Sequence, residues 1–246
     1  MTEVARVALV TDFGPGIYVG QVQLVLGALA AGIPVVDLVN DLPAGQPGLC
    51  APLVPALSRG MPAGTLYLCV VDPGVGSERD ILLVRRGHDA FLAPDNGLLA
   101  CIVQEREDVQ VFRVLWRPKT LSTSFHGRDV FAPVAAALAT GRQVDMEAVD
   151  PTQVVGWAHR PRRELVCYVD RFGNVITGIE APDQPDHVRV HVGGHTVPYA
   201  RTFCAVAAGH AFWYRNALGL VEVAVNRGSA AQMLNVSVGE PVELLV

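Results

Sequence analysis

Five polar clusters stand out in this 246-residue chain, four of them at the end of apolar runs. They are Thr11-Asp12-Phe13-Gly14, Asp72-Pro73-Gly74-Val75-Gly76-Ser77-Glu78-Arg79, Ala93-Pro94-Asp95-Asn96-Gly97, Phe125-His126-Gly127-Arg128-Asp129 and Asp170-Arg171-Phe172-Gly173-Asn174. In α/β sheets ligands bind beyond the carboxyl ends of strands, so polar residues there are candidates for chemistry. A carboxylate in that position accepts two hydrogen bonds from a ribose diol. An Asp in a Gly- or Pro-rich turn also stabilises the turn itself, the simpler account of any one cluster. Five of them in a chain that is only 17% charged favour a site. His126, set among Phe125, Gly127, Arg128 and Asp129, has neighbours able to tune an imidazole whose ordinary pKa is near 6.5. Local sequence leaves its catalytic and structural roles both open.

Two further patterns point elsewhere. Gly14, Gly16 and Gly20 follow a strand and open a helix, with Asp37 downstream, approximating a dinucleotide fingerprint. Asp12 and Phe13 separate the strand from the first glycine, however, and Pro15 stands between the glycines. An anion at that helix start would meet Asp12 at close range. His187, His191 and His195 share a four-residue spacing, but the intervening valines and Gly193-Gly194 describe a strand and turn rather than a helix of metal ligands.

Positioning these clusters requires a particular order of elements. Residues 5–11, 34–39 and 65–71 read as buried strands, and 19–31 as a helix closed by Gly32. A helical stretch follows near 51–59, a strand pair at 81–84 and 90–93, and a helix at 131–139 with Pro133 in its first turn. That alternation describes an α/β domain with a central sheet flanked by helices. Beyond residue 154 short strands dominate (165–169, 188–192, 220–225, 242–246), separated by turns at Gly173-Asn174, Gly193-Gly194 and Arg227-Gly228. The expectation is a smaller all-β, barrel-like or sandwich domain, with domains at 1–157 and 164–246.

Composition narrows the partners. Half the chain is apolar, which is ample for a core, and the net charge is −5. No run of Lys or Arg supplies the basic stripe of a nucleic-acid surface. The longest uncharged apolar stretch, 24–36, is too short to span a bilayer and contains Pro34. Cys50, Cys69, Cys101, Cys167 and Cys204 are an odd, widely spaced set without C-x-x-C, which reads as thiols rather than zinc ligands or disulfides. A cytoplasmic protein is expected.

Taken together, TDFG (11–14), YVGQ (18–21), VVDPGVGSER (70–79), APDNGLL (93–99), SFHGRDVFAP (124–133), DRFGN (170–174) and EVAVNRGSAA (222–231) resemble the S-adenosyl-L-methionine hydrolases. These are also called SAM hydroxide adenosyltransferases and are related to the 5′-fluorinases and 5′-chlorinases. The resemblance implies an N-terminal α/β domain, a C-terminal β-barrel and a homotrimer that binds SAM between one subunit's N-terminal domain and a neighbour's C-terminal domain. It implies no metal and no cofactor. Asp72, Arg79 and His126 match the trio that positions or activates water. Asp12 would bind the ribose hydroxyls, Asp170 the methionine ammonium, and Phe172 and Asn174 the adenine end. The halogenases usually carry Tyr at the position of Asp72, and an inserted loop, so the hydrolase branch is implied.

The chain departs from the family pattern at four places. Its first loop is one residue shorter, with Gly16 and no second aspartate. Ala217 replaces a usual Ser in Asn216-Ala217-Leu218-Gly219, Asn40 a common His, and Gly178 a common Asn. Weaker SAM binding, or a substrate with a different tail, is the expectation. The chemistry suits the residue types, because a sulfonium departs as a neutral thioether and needs no general acid. A water in line behind C5′ is what must be supplied, with His126 the natural base. The alternatives are a halide-using SAM transferase, a weakly active SAM or adenosine sensor, and a dinucleotide oxidoreductase.

Overall fold

The computed structural model describes residues 4–105, 108–181 and 187–246. The chain divides into two compact units, Met1–Val54 with Gly60–Pro161, and Pro55–Arg59 with Arg162–Val246.

In the first unit β1 (Arg6–Thr11) leads into α1 (Ile17–Leu29) and β2 (Val35–Val39). Two short helices, α2 (Pro47–Cys50) and α3 (Leu53–Ser58), precede β3 (Thr65–Val70), β4 (Ile81–Arg86) and β5 (Asp89–Pro94). Then come α4 (Ala100–Gln104), β6 (Val109–Val114), α5 (Ala132–Ala139) and β7 (Met146–Ala148). The strands form one sheet in the order β2-β1-β3-β5-β4-β6-β7. β2, β1, β3 and β5 run parallel, and β4, β6 and β7 continue antiparallel.

All six residues of β3 are buried, as a strand covered on both faces requires. Val19, Val22 and Leu26 recur at helical spacing along α1 and join Leu9, Leu68 and Leu92 in one core with α5. The chain leaves β1 for β2 on one side and returns to β3 on the other. A switch point therefore lies between β1 and β3, where α/β sheets open a crevice. Asp12 and Asp72 follow the carboxyl ends of those two strands.

The second unit holds β8 (Val166–Val169), β9 (Val175–Glu180), β10 (Arg189–Val192), β11 (His195–Val197), β12 (Ala211–Arg215), β13 (Leu220–Val225), α6 (Ala230–Met233) and β14 (Val242–Leu245). They form a four-stranded sheet β12-β13-β9-β8 and a three-stranded sheet β11-β10-β14. Isolated bridges Leu165↔Pro241 and Tyr199↔Trp213 link the edges of the two. Trp213 is fully buried in their shared core, and its indole N–H donates to Val188 O at 2.9 Å.

Element by element, α1 begins two residues earlier than the spacing indicates, and the antiparallel pair at 81–94 is present. The histidines at 191 and 195 lie on paired strands, with His191 Nδ1 3.1 Å from Thr196 Oγ1. Four cysteines are buried and Cys204 is exposed. Gly178 has a packing reason: a Cβ there would sit 2.9 Å from Arg163 O and 3.1 Å from Cys167 Sγ. An asparagine at this point would have to displace backbone. Among the described residues no helix is long and apolar enough to cross a membrane.

Candidate active site

Beyond β1 the chain turns through Gly14, whose φ of +70° suits a residue without Cβ. Gly14 N donates to Asn40 O at 2.6 Å, and Leu42 N donates to Thr11 O. This loop contact carries Gly45 to Asp12, whose Oδ2 accepts from Gly45 N at 2.8 Å. Burial raises the Asp12 pKa, the Gly45 N–H partly offsets that, and nearby Asp72 adds to the rise. Phe13, Tyr18 and Phe125 pack edge to face, with centroid separations of 5.1–6.5 Å. Gly127 is required by this wall, because a Cβ there would meet the Phe13 ring at 2.8 Å.

Asp72 and Arg79 come from opposite ends of the loop joining β3 to β4. Their carboxylate and guanidinium meet in a two-pronged pair, Nε to Oδ1 and Nη2 to Oδ2. The side chains are 5% and 9% exposed. A pair this dry holds both partners, since removing either leaves the other charge buried alone. Arg79 also lies 5.9 Å from the centre of the buried Phe131 ring.

His126 opens a wide π-helical turn, Gly127–Phe131, that runs into α5; such turns are frequent at functional sites. Arg128 and Asp129 of this turn pair with each other at 2.6 Å. Arg128 also reaches Gln21 Oε1, and Asp129 accepts from Ser122 N.

The His126 Nδ1 atom lies 3.3 and 3.4 Å from the two Nη atoms of Arg79. A guanidinium has no acceptor, so Nδ1 accepts and neutral His126 carries its hydrogen on Nε2. Nε2 is buried and has no partner among the described residues. Burial, and then the Arg79 charge, lower the His126 pKa. The sequence reading casts His126 as the base. In this arrangement its lone pair is engaged by Arg79, and the ring presents a hydrogen-bond donor.

Arg79 and His126 line a cavity of about 330 Å3 with Ser77, Glu78, Arg117 and Thr123. Asp72, Arg79 and His126 are thus brought together, and Asp12 is close enough to sense the charge of Asp72.

Asp170, Phe172 and Asn174 belong to the second unit and share a cavity of about 650 Å3 with Phe203, Tyr214, Glu222 and Arg227. Asp170 Oδ1 accepts from Phe172 N at 2.8 Å and Asn174 N at 2.9 Å, and its Oδ2 accepts from Asn174 Nδ2 at 2.9 Å. Phe172 is 68% exposed, with the Arg171 guanidinium 5.4 Å from the centre of its ring. Glu222, on β13, is buried and accepts from Tyr214 OH and Asn216 Nδ2. Burial raises the pKa of Glu222, and the Asp170 charge adds to it.

Sequence reasoning missed Tyr214, Glu222 and Arg117. Glu222 had a signal, being a lone carboxylate inside the apolar run Leu220–Val225. Among the described residues no group of three or more His, Cys, Asp or Glu is arranged to hold a metal ion.

Comparison with known proteins matches the two units separately. The SAM hydroxide adenosyltransferase N-terminal domain matches residues 7–148, and the C-terminal domain of the same family matches 165–243. An (R)-S-adenosyl-L-methionine hydrolase of Thermus thermophilus is 38% identical, over 97% of this chain and 99% of its own. Another, from Salinispora arenicola, is 33% identical over 98% and 97%. A crystal structure of an uncharacterized conserved protein from Thermotoga maritima superposes with a TM-score of 0.81 at 29% identity, covering 97% of this chain and all of that one. Over nearly its whole length, then, this chain belongs to the SAM hydroxide adenosyltransferase family.

Proposed function

We propose that this protein hydrolyses S-adenosyl-L-methionine at C5′, giving adenosine, L-methionine and one proton, without metal or cofactor. The observation that carries the reading is the dry Asp72–Arg79 pair in contact with His126, within a chain of this family. The hydrolases it resembles are named for the (R) epimer at sulfur, and we extend that preference to this chain.

The residues take complementary roles. Asp12 binds the ribose hydroxyls, and Phe13, Tyr18 and Phe125 form an apolar wall beside it. His126 Nε2–H donates to the attacking water and leaves an oxygen lone pair free to point at C5′. Arg79 fixes the ring through Nδ1, and Asp72 fixes Arg79. Holding the water in line lowers the barrier by several kcal/mol without a strong base. The sulfur leaves as a neutral thioether while the new C–O bond forms. The attached water becomes acidic in that step and gives its proton to solvent. Asp170 meets the methionine ammonium, and Phe172 and Asn174 hold the adenine end.

The same reading includes a homotrimer with SAM between the N-terminal domain of one subunit and the C-terminal domain of a neighbour. The N-terminal unit carries four of the expected residues and the C-terminal unit three. Support also comes from α1, which has no charged residue and leaves Ile17 and Leu24 69% and 75% exposed; a surface helix with an apolar exposed face suits burial in an assembly. The C-terminal unit is read as a barrel, supported by its two edge bridges and shared core. Domain limits of 1–157 and 164–246, and a cytoplasmic setting with cysteines as thiols rather than disulfides, complete it.

The test is incubation of the purified protein with an epimeric mixture of SAM, with and without chloride, resolving nucleosides and residual epimers. Equal adenosine and methionine, loss of the (R) epimer first and indifference to chloride are expected. A 5′-chloronucleoside would replace the reading with a halide-using transferase. Saturable adenosine binding without turnover would replace it with a sensor.

A further inference from the structure

One of the five polar clusters, residues 93–97, has no role in the reaction just described. It follows β5, the neighbour of both β3 and β4, and so lies beside both ends of the loop that carries Asp72 and Arg79. Asn96 Nδ2 donates to Val71 O at 2.8 Å, at the peptide directly before Asp72. Asp95 N donates to Asp80 O at 2.9 Å, at the residue directly after Arg79. Two consecutive residues therefore pin the two flanks of one loop.

Between those flanks the loop is closed by the Asp72–Arg79 pair and by bonds within its own turns, including Ser77 Oγ to Gly74 O at 2.7 Å. It contains Gly74 and Gly76, and its own bonds are short-range: Val75 N to Asp72 O at 3.3 Å, and Ser77 N to Gly74 O at 3.0 Å. The brace is itself anchored. Asn96 Oδ1 accepts from Leu98 N, and Asp95 Oδ1 accepts from Val155 N at 2.9 Å. The Asp80 carboxylate is held by Arg113 Nε at 2.7 Å. An amide suits the position of Asn96, because it donates to a carbonyl with one end and accepts from an N–H with the other. A carboxylate would set two acceptors against each other.

We infer that Asn96 is a positioning residue, acting with the Asp95 backbone to hold Asp72 and Arg79 at the spacing that fixes His126. The inference rests on the catalytic reading of that trio. Asn96 touches none of the three side chains, so its removal acts through the loop.

The test is steady-state kinetics of Asn96→Ala as a function of pH, with Asp72→Asn and Arg79→Lys measured alongside. The charged groups acting on His126 are Arg79, Asp72, Asp129 and Arg117. Of these, loosening the loop displaces Arg79 and Asp72 and admits water. Burial and Arg79 are the stronger influences, so the net effect raises the His126 pKa. The expected result is a kcat lower by about tenfold or more, KM for SAM within about twofold, and an acid limb moved to higher pH. If Asn96→Ala fails to fold, Asn96→Ser, whose shorter side chain does not reach Val71, is read in the same way.

Parent-like kcat and an unmoved limb in an Asn96 variant, with Asp72→Asn and Arg79→Lys inactive, would overturn the brace alone. Parent-like turnover by Asp72→Asn and Arg79→Lys would instead overturn the catalytic reading beneath it.

Discussion

The two units treat their carboxylates differently. In the N-terminal unit Asp72 is neutralised by a guanidinium, and both groups are nearly dry. In the C-terminal unit Asp170 and Glu222 are satisfied by neutral donors: backbone N–H groups, two asparagine amides and a tyrosine hydroxyl. The first arrangement cancels charge and fixes geometry. The second keeps negative charge facing a cavity that contains the exposed ring of Phe172. Carboxylates beside aromatic faces suit a cationic guest, and the substrate carries an ammonium and a sulfonium. On the proposed reading, chemistry falls to the paired carboxylate and recognition to those held by neutral donors.

The sharpest way to break that contrast is to exchange the symptoms. Asp72→Asn keeps the shape but loses the charge that holds Arg79, and should lower kcat by about 10²–10⁴-fold with KM little changed. His126→Ala should do the same. Asp72→Ala goes further, since it removes the hydrogen-bond acceptor of the buried Arg79 along with its counter-ion. That should cost about 3–5 kcal/mol of stability, read as a lower melting temperature.

The pH profile depends on the same Asp72, Arg79 and His126 trio. His126 must be neutral to accept from Arg79, and its depressed pKa keeps it neutral below pH 6.5. Activity should therefore persist below pH 6.5 and fall only as His126 protonates at lower pH. An acid limb above 6.5 would contradict the buried, Arg79-facing ring.

Asp170→Asn is the counterpart in the other unit and should be smaller. It removes a charge from recognition while leaving the water site untouched, so KM for SAM should rise about tenfold or more with kcat nearly constant. Adenosine affinity should fall less than SAM affinity, because adenosine has no ammonium, although Asp170 also holds Phe172 and Asn174 in place. A fall in kcat equal to that of Asp72→Asn would erase the distinction between the units.

How much of this was legible in the sequence follows the same division. Asp12 and Asp72 were readable because each ends an apolar run at a glycine-rich turn, and the parallel sheet then places them side by side. The contact between Arg79 and His126 spans 47 positions and two loops, so no local pattern encodes it. In the C-terminal unit β9 went unread because Gly178 interrupts its apolar run. That glycine answers to Arg163 O and Cys167 Sγ, neighbours that exist only in the folded sheet. β12 went unread because Ala211–Arg215 is short and aromatic without alternation. Both of its faces are used, Trp213 in the core and Phe212 with Tyr214 against Phe203. Glu222 was overlooked as part of an apolar strand. Its partners Tyr214 and Asn216 sit on the preceding strand and turn, where only pairing in the sheet brings them close.

The smallest effect concerns Ala217, and it tests whether the recognition half is tuned as the family departures imply. Asn216 Oδ1 accepts from Leu218 N and Leu220 N, both at 2.9 Å, so the turn around Ala217 is already rigid without help from its side chain. Ala217 itself is exposed, so a hydroxyl there would be free to meet a ligand rather than the protein. Ala217→Ser adds one neutral hydrogen bond to the methionine end, and the gain should be about two- to tenfold in SAM affinity. Neither kcat nor melting temperature should move, because no contact of the Asp72–Arg79–His126 trio is altered. Unchanged affinity would mean that this turn does not face the methionine end, and would leave Asp170 as the tail contact assigned to this unit.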